Sequence, residues 1–153
     1  MLLLTLQAWV ALRLWPELPE RVAMHYGAGG RPDRWGSSES LLNVMFLMSG
    51  VVVVCCHGIA AFIARLPVSM FNLPDRDYWL SPERADATRN AIATRLVVFG
   101  HLSLLFTCGL THVSLAANLS SPVRLPPSFG YGLAAYLVLV VVWVVLLWRR
   151  FQR

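Results

Sequence analysis

Residues 129–150 read Phe-Gly-Tyr-Gly-Leu-Ala-Ala-Tyr-Leu-Val-Leu-Val-Val-Val-Trp-Val-Val-Leu-Leu-Trp-Arg-Arg. No charge interrupts Phe129–Trp148, and Arg149-Arg150 end the run abruptly. At about 1.5 Å of rise per residue, a helix of this length covers the roughly 30 Å hydrocarbon core of a bilayer. Two other segments reach that length. One is Leu41–Ala64, whose most polar members are Asn43 and His57; the other is Ala91–Ala117, which has Arg95 near one end. A fourth segment, Leu2–Trp15, is shorter, holds Gln7 and Arg13, and is limited by Pro16. It lacks the basic start and the small-residue cleavage site of a secretory signal peptide. A short tilted span, with Arg13 snorkelling beside Trp15, is preferred over a signal sequence or an interfacial helix. The expected architecture is therefore all-α: a single integral-membrane domain over 1–153, built as a four-helix bundle. Its spans are expected at about 2–15, 41–64, 91–117 and 129–148, with a patterned outer loop 16–40 and a cytoplasmic loop 65–90.

Composition agrees. The 153 residues are 57% hydrophobic and 14% charged, with a mean hydropathy of +0.59. A soluble domain is about 45–50% apolar and about 25% charged, so too little polar surface is present to cover a globule. Disorder is excluded by the same excess of apolar surface. All 13 basic residues are arginine, but they are dispersed, so the net charge of +5 describes no nucleic-acid face. Cys55, Cys56 and Cys108 lie in apolar runs, where cysteine behaves as a small hydrophobe.

Arginine also orients the chain. Arg65, Arg76, Arg84, Arg89 and Arg95 lie on one side with Arg149, Arg150 and Arg153, while Arg21, Arg31, Arg34 and Arg124 lie on the other. Eight against four places both termini and the middle loop in the cytoplasm. In that loop, Ser81-Pro82-Glu83 has the form of an N-cap, a first-turn proline and a first-turn acid, from which a helix runs into the third span. Before it, Asn72-Leu73-Pro74 and Tyr78-Trp79 look like an interface anchor, with docking of a cytoplasmic regulator as the alternative.

The most patterned stretch is Leu18–Ser37. Gly27, Gly29 and Gly30 permit a tight reversal, Pro32-Asp33 starts a turn, and Ser37, Ser38 and Ser40 offer capping oxygens for the next helix. A hairpin-like reversal would bring His25 near Asp33, with Arg34 and Trp35 following. His–carboxylate pairs bind cations or orient a group, but a loop-ordering hydrogen bond is the commoner outcome, and two candidate ligands alone do not specify a metal. The candidate ligand-binding residues are His25, Tyr26, Gly30, Pro32, Asp33, Arg34 and Trp35.

Leu18-Pro19, Arg21-Val22, His25-Tyr26, Gly30, Pro32-Asp33 and Trp35-Gly36-Ser37 together resemble the bacterial membrane family catalogued as domain of unknown function 1648, to which SdpI-related immunity and signalling proteins are similar. Asn72–Arg84 resembles the same group, so that the likeness covers about residues 10–90. Ser38 and Asp75 depart from the pattern, standing where a basic residue and an Asn are common. The resemblance implies a cytoplasmic-membrane receptor or immunity-type module and supplies no reaction.

Within the spans, depth arithmetic places His57 about 7 Å and His101 about 4–5 Å to the cytoplasmic side of their span centres, so that the two can meet. An interhelical hydrogen bond is preferred over a functional pair. On the third span, Thr94, His101, Cys108 and His112 share one face, with Ser103, Thr107, Thr111 and Ser114 opposite; a helix polar on two faces packs on two neighbours. Cys56, Ala60 and Ala64 offer a ridge of small residues for close approach. No phosphate loop, His-Glu-x-x-His or nucleophile elbow is present, so no catalytic residue, metal or cofactor is assigned. The preferred function is a non-enzymatic binding, sensing, immunity-type or accessory module acting through the outer loop. The expected partners are membrane lipid and a protein in the membrane or at its cytoplasmic face, with homo- or hetero-oligomers open and no nucleic acid. The alternatives are a structural subunit of a larger complex and, behind it, a metal-dependent membrane enzyme or transporter using His25/Asp33 or His57/His101.

Overall fold

Ser37 opens the first long helix. Its backbone is extended and its Oγ accepts the Ser40 N–H at 3.2 Å, which satisfies one of the donors a helix start leaves free. A computed structural model describes residues 1–152, apart from the side chain of Ala64. Arg153 of the basic tally and the Ala64 member of the small-residue ridge lie outside the described residues.

From Ser37 the chain runs as α2 (Ser38–Val52), a widened π-helical segment (Val53–Gly58) and α3 (Ile59–Phe62). Together they form one apolar helix of 25 residues with a mean hydropathy of 2.2. Two further helices are long and apolar enough to cross a membrane, α5 (Ala85–Asn118) and α6 (Pro127–Phe151). The three coincide with the expected full-length spans. α1 (Leu2–Leu14) is helical, but its 13 residues rise only about 20 Å, short of the hydrocarbon core. The expected count of four spans is therefore not reached.

All-α is also too simple. β1 (Arg21–Tyr26) and β2 (Pro32–Ser37) pair antiparallel from Arg21↔Ser37 to Tyr26↔Pro32, with a register irregularity around His25. The reversal is made at Gly29 and Gly30, whose φ values of +72° and +73° disfavour any residue with a Cβ. The Gly27 N–H donates to the Arg31 carbonyl at 2.8 Å to close it.

α1, α2 and α5 pack together, with β1 beside them, around Val10, Ala11, Val22, Leu41, Leu42, Met45 and Leu115. α6 is outside this core. It is the most apolar span, with a mean hydropathy of 2.4, yet 0% of its spanning window is buried. It touches α5 through rings: Phe106 stacks on Tyr136 at 4.2 Å and Phe99 lies 4.6 Å from Trp143. The packed unit is thus three helices with a fourth alongside, and α5 is central to both halves.

The α5 start also differs from its expected form. Ser81–Arg84 make a turn, with the Ser81 carbonyl accepting the Arg84 and Ala85 N–H groups at 2.9 Å, and the helix begins at Ala85. Glu83's own N–H and then the Ser81 hydroxyl hold the Glu83 carboxyl below the usual carboxylate range, and no side chain caps the helix. The preceding short helix α4 (Arg76–Trp79) is docked: Trp79 Nε1 donates to the Phe151 carbonyl at 2.9 Å, and Thr88 Oγ1 donates to the Trp79 carbonyl at 2.8 Å.

Candidate site at the hairpin and the polar anchors beneath it

The β1–β2 hairpin joins the residues the sequence singled out. His25 Nδ1 lies 2.7 Å from Asp33 Oδ1, with both side chains more than half exposed. Gly27 leaves room for that carboxylate, since a Cβ there would sit 2.9 Å from Asp33 Oδ2. Tyr26 and Pro32 form the last pair before the turn. Arg34 is exposed opposite His25, and Trp35 is 42% exposed on the same strand.

The turn is clasped from below by the α5–α6 connection. Arg124 Nε donates to the Gly29 carbonyl at 2.8 Å, and the Leu125 N–H donates to the Gly30 carbonyl at 3.0 Å. A Cβ on Gly30 would lie 2.7 Å from the Leu125 carbonyl oxygen, so only glycine allows this approach. Between turn and connection is a cavity of about 330 Å³, with Tyr26, Gly30, Arg124, Pro126 and Phe129 on its walls. The Tyr26 hydroxyl is buried and has no hydrogen-bond partner among the described residues. Burial pushes its phenol pKa up, which keeps the group a neutral donor.

A second tie fixes the strand. The Ala23 N–H donates to Asn118 Oδ1 at 2.6 Å, and Asn118 Nδ2 donates to the carbonyls of Ala23 at 3.2 Å and Ser114 at 3.0 Å. One buried side-chain amide thus does for Ala23 what a neighbouring strand would. Deeper, Gln7 joins three helices. Its Nε2 donates to Thr111 Oγ1 at 3.0 Å and to the Met45 carbonyl at 3.3 Å, while its Oε1 accepts from Ser49 at 2.7 Å. Gln7, Ser49, Thr107 and Thr111 are all buried.

The intramembrane histidines meet. His57 Nε2 lies 3.3 Å from His101 Nδ1, which also donates to the Val97 carbonyl at 2.8 Å. Gly100 makes this possible, because a Cβ there would fall 2.5 Å from His57 Cε1 and 2.7 Å from the Cys56 Cβ. The π-helical segment carries Cys56 and His57, and Met1 with Leu2–Leu4 of α1 lines a cavity of about 600 Å³ beside the histidine pair. Cys108 is buried and His112 exposed, so their shared helix face is split between core and surface. Of the opposite stripe, Ser103, Thr107, Thr111 and Ser114 are all buried. Among the described residues, no group of three or more His, Cys, Asp or Glu is placed to hold a metal.

Gln7, Ser49, Gly100, Asn118 and Arg124 were not singled out as site residues by the sequence. Gln7 did carry a signal, being the lone amide in an apolar run. Asn118 and Arg124 carried none, since both sit at chain turns where polar residues are ordinary.

Residues 2–49 match the family model described as Domain of unknown function (DUF1648). The match covers 48 of the 153 residues, and over this stretch the chain is similar to that family. The DUF1648 region covers α1, the hairpin and most of α2, and therefore holds Gln7, Ser49 and the whole Tyr26–Asp33 reversal. The residues that anchor it, Thr111, Asn118 and Arg124, come from beyond the matched part. The match starts earlier and ends sooner than the likeness at 10–90, leaving Asn72–Arg84 outside, and it does not show a relation to SdpI. An uncharacterized protein of Archaeoglobus fulgidus is 38% identical over 82 residues, which are 48% of this chain and 44% of that protein. The chain thus spans less than half of that relative's length, and the relative is archaeal rather than bacterial. No solved structure matches.

Proposed function

We propose that this chain is a non-enzymatic membrane module that binds a ligand through its DUF1648 hairpin. It sits in the cytoplasmic membrane with the hairpin outside, and the arginine-rich end of α5 and α6 faces the cytoplasm together with the C-terminus; α1 points its N-terminus to the same side. The observation that carries the reading is the buried, unpartnered Tyr26 hydroxyl on the wall of a cavity of about 330 Å³. Buried polar groups without a partner are uncommon and costly, and a bound acceptor would satisfy this one. The neighbouring Arg124 guanidinium keeps its terminal nitrogens available, because only Nε bonds to Gly29. His25 and Asp33 form the rim.

The test replaces Tyr26→Phe, Arg124→Gln and His25→Ala in a strain whose deletion phenotype is known, at matched membrane levels. Loss of complementation by Tyr26→Phe and Arg124→Gln is expected. Full complementation by all three variants would overturn the reading. A reporter fused at the C-terminus should be active only in the cytoplasm.

One observation favours a second reading, an accessory subunit of a larger complex: α6 buries none of its spanning window within the chain. A helix with that much free apolar face meets lipid or another spanning helix. If a partner covers it, deleting that partner will lower the level of this protein in membranes.

A further inference from the structure

At the arginine-rich end of the molecule, residues of α5 and α6 line a groove of about 670 Å³. Its floor is apolar, made by Val98, Trp143, Leu146 and Leu147, and its mouth carries Arg95, Arg149 and Arg150. None of the three arginines forms an ion pair among the described residues; the ion pairs there are His25–Asp33 and Arg89–Asp86. Arg150 lies over the Trp79 ring at 4.8 Å, which positions its guanidinium without neutralising it.

The levels of these groups are set by the helices. Trp143 Nε1 donates to the Arg95 carbonyl at 3.3 Å, so Trp143 and Arg95 stand side by side. Arg149 is six residues further along α6, about 9 Å nearer the end of the span. Arg95 reaches in the same direction: its Nη1 bonds back to the Ala91 carbonyl at 3.1 Å, one turn toward the start of α5. Three positive side chains thus line one groove whose other walls, between α5 and α6, are mostly apolar. No carboxylate lines the groove.

We propose that this groove is a binding site for an anionic phospholipid. The phosphate is held by Arg95, Arg149 and Arg150, and an acyl chain lies along Val98, Leu146 and Leu147. Charge complementarity selects the headgroup, because guanidinium groups pair with phosphate in a fixed, two-pronged geometry. The apolar floor selects a lipid over a free anion. Basic pockets between spanning helices at the cytoplasmic side are a recognised form of headgroup site. The proposal is independent of the hairpin reading, since no residue is shared between the two sites.

The experiment places the purified full chain in phosphatidylcholine nanodiscs doped with brominated phosphatidylglycerol or brominated phosphatidylcholine. The readout is the quenched fluorescence of Trp143, isolated by subtracting the Trp143→Phe variant. Stronger quenching by the anionic lipid at equal mole fraction is expected. Each arginine changed to Gln should lower that preference about fivefold, while Arg21→Gln/Arg31→Gln at the other end leaves it intact. If the triple variant of Arg95, Arg149 and Arg150 fails to fold, Arg149→Gln alone, exposed at a helix end, gives the single-step answer. Equal quenching by the two lipids would overturn the proposal, as would a preference that survives Arg149→Gln or displacement by millimolar inorganic phosphate.

Discussion

α1 and α6 make a useful pair. α6 is the longer and the more apolar, yet it buries none of its spanning window. α1 has only 13 residues, yet it is held in the core by Gln7, which is 1% exposed and bonded to α2 and α5 at once. In water the greasier helix would be expected inside. In a membrane it need not be, because lipid tails are as apolar as leucine and exert no pressure to bury one more valine. Association is then decided by polar bonds and close backbone approach. α1 has the first through Gln7, α2–α3 has the second through Gly100, and α6 has ring contacts, Trp143–Arg95 and one Tyr136–Ser103 bond at 2.9 Å.

The contrast is open to test. Gly100→Val should have the largest effect, about 3 kcal/mol of lost stability, because the new side chain meets His57 and Cys56 at under 3 Å and the crossing must spread. Unfolding in mixed detergent measures it, and a change under ~1 kcal/mol would mean that the crossing is soft. Gln7→Leu, which makes α1 still more apolar, should nonetheless destabilise by about 2 kcal/mol, from three interhelical bonds at roughly 0.6 kcal/mol each. If it stabilises instead, apolarity governs α1 after all. Asn118→Ala should cost about 1–2 kcal/mol by leaving the Ala23 N–H without its acceptor, and amide exchange should rise in Arg21–Tyr26 while α2 stays protected. Asp33→Asn belongs below ~1 kcal/mol, because the His25 pair is exposed. Smallest of all, Val138→Ala on α6 should fall within about 0.5 kcal/mol, Val138 being 61% exposed.

Much was legible in advance. The uninterrupted run to Trp148 marked α6, and similar runs marked the other two full-length helices. Gly29-Gly30 with Pro32-Asp33 forecast the reversal, and the approach of His25 to Asp33 followed from it. The meeting of His57 and His101 came from depth alone, since a helix rise converts position into height. Two expectations were not met. The short fourth span expected at Leu2–Trp15 is a helix of 13 residues, whose length sets its reach. The helix start at Ser81 was assigned by residue type, whereas Ser81–Arg84 form a turn and the helix begins at Ala85.

The sequence by itself determined which segments are apolar enough to leave water, where the chain reverses and which side holds most arginine. These depend on local composition and on φ/ψ limits, which act within a few residues. Only the tertiary structure decided which apolar helix is inside, which amide supports β1 and which arginines share a groove. Those outcomes rest on partners separated by tens of residues: Gln7 to Thr111, Ala23 to Asn118 and Arg95 to Trp143. In a bilayer the apolar pattern does not choose between partners, so the choice passes to a few hydrogen bonds whose geometry exists only once the helices are assembled.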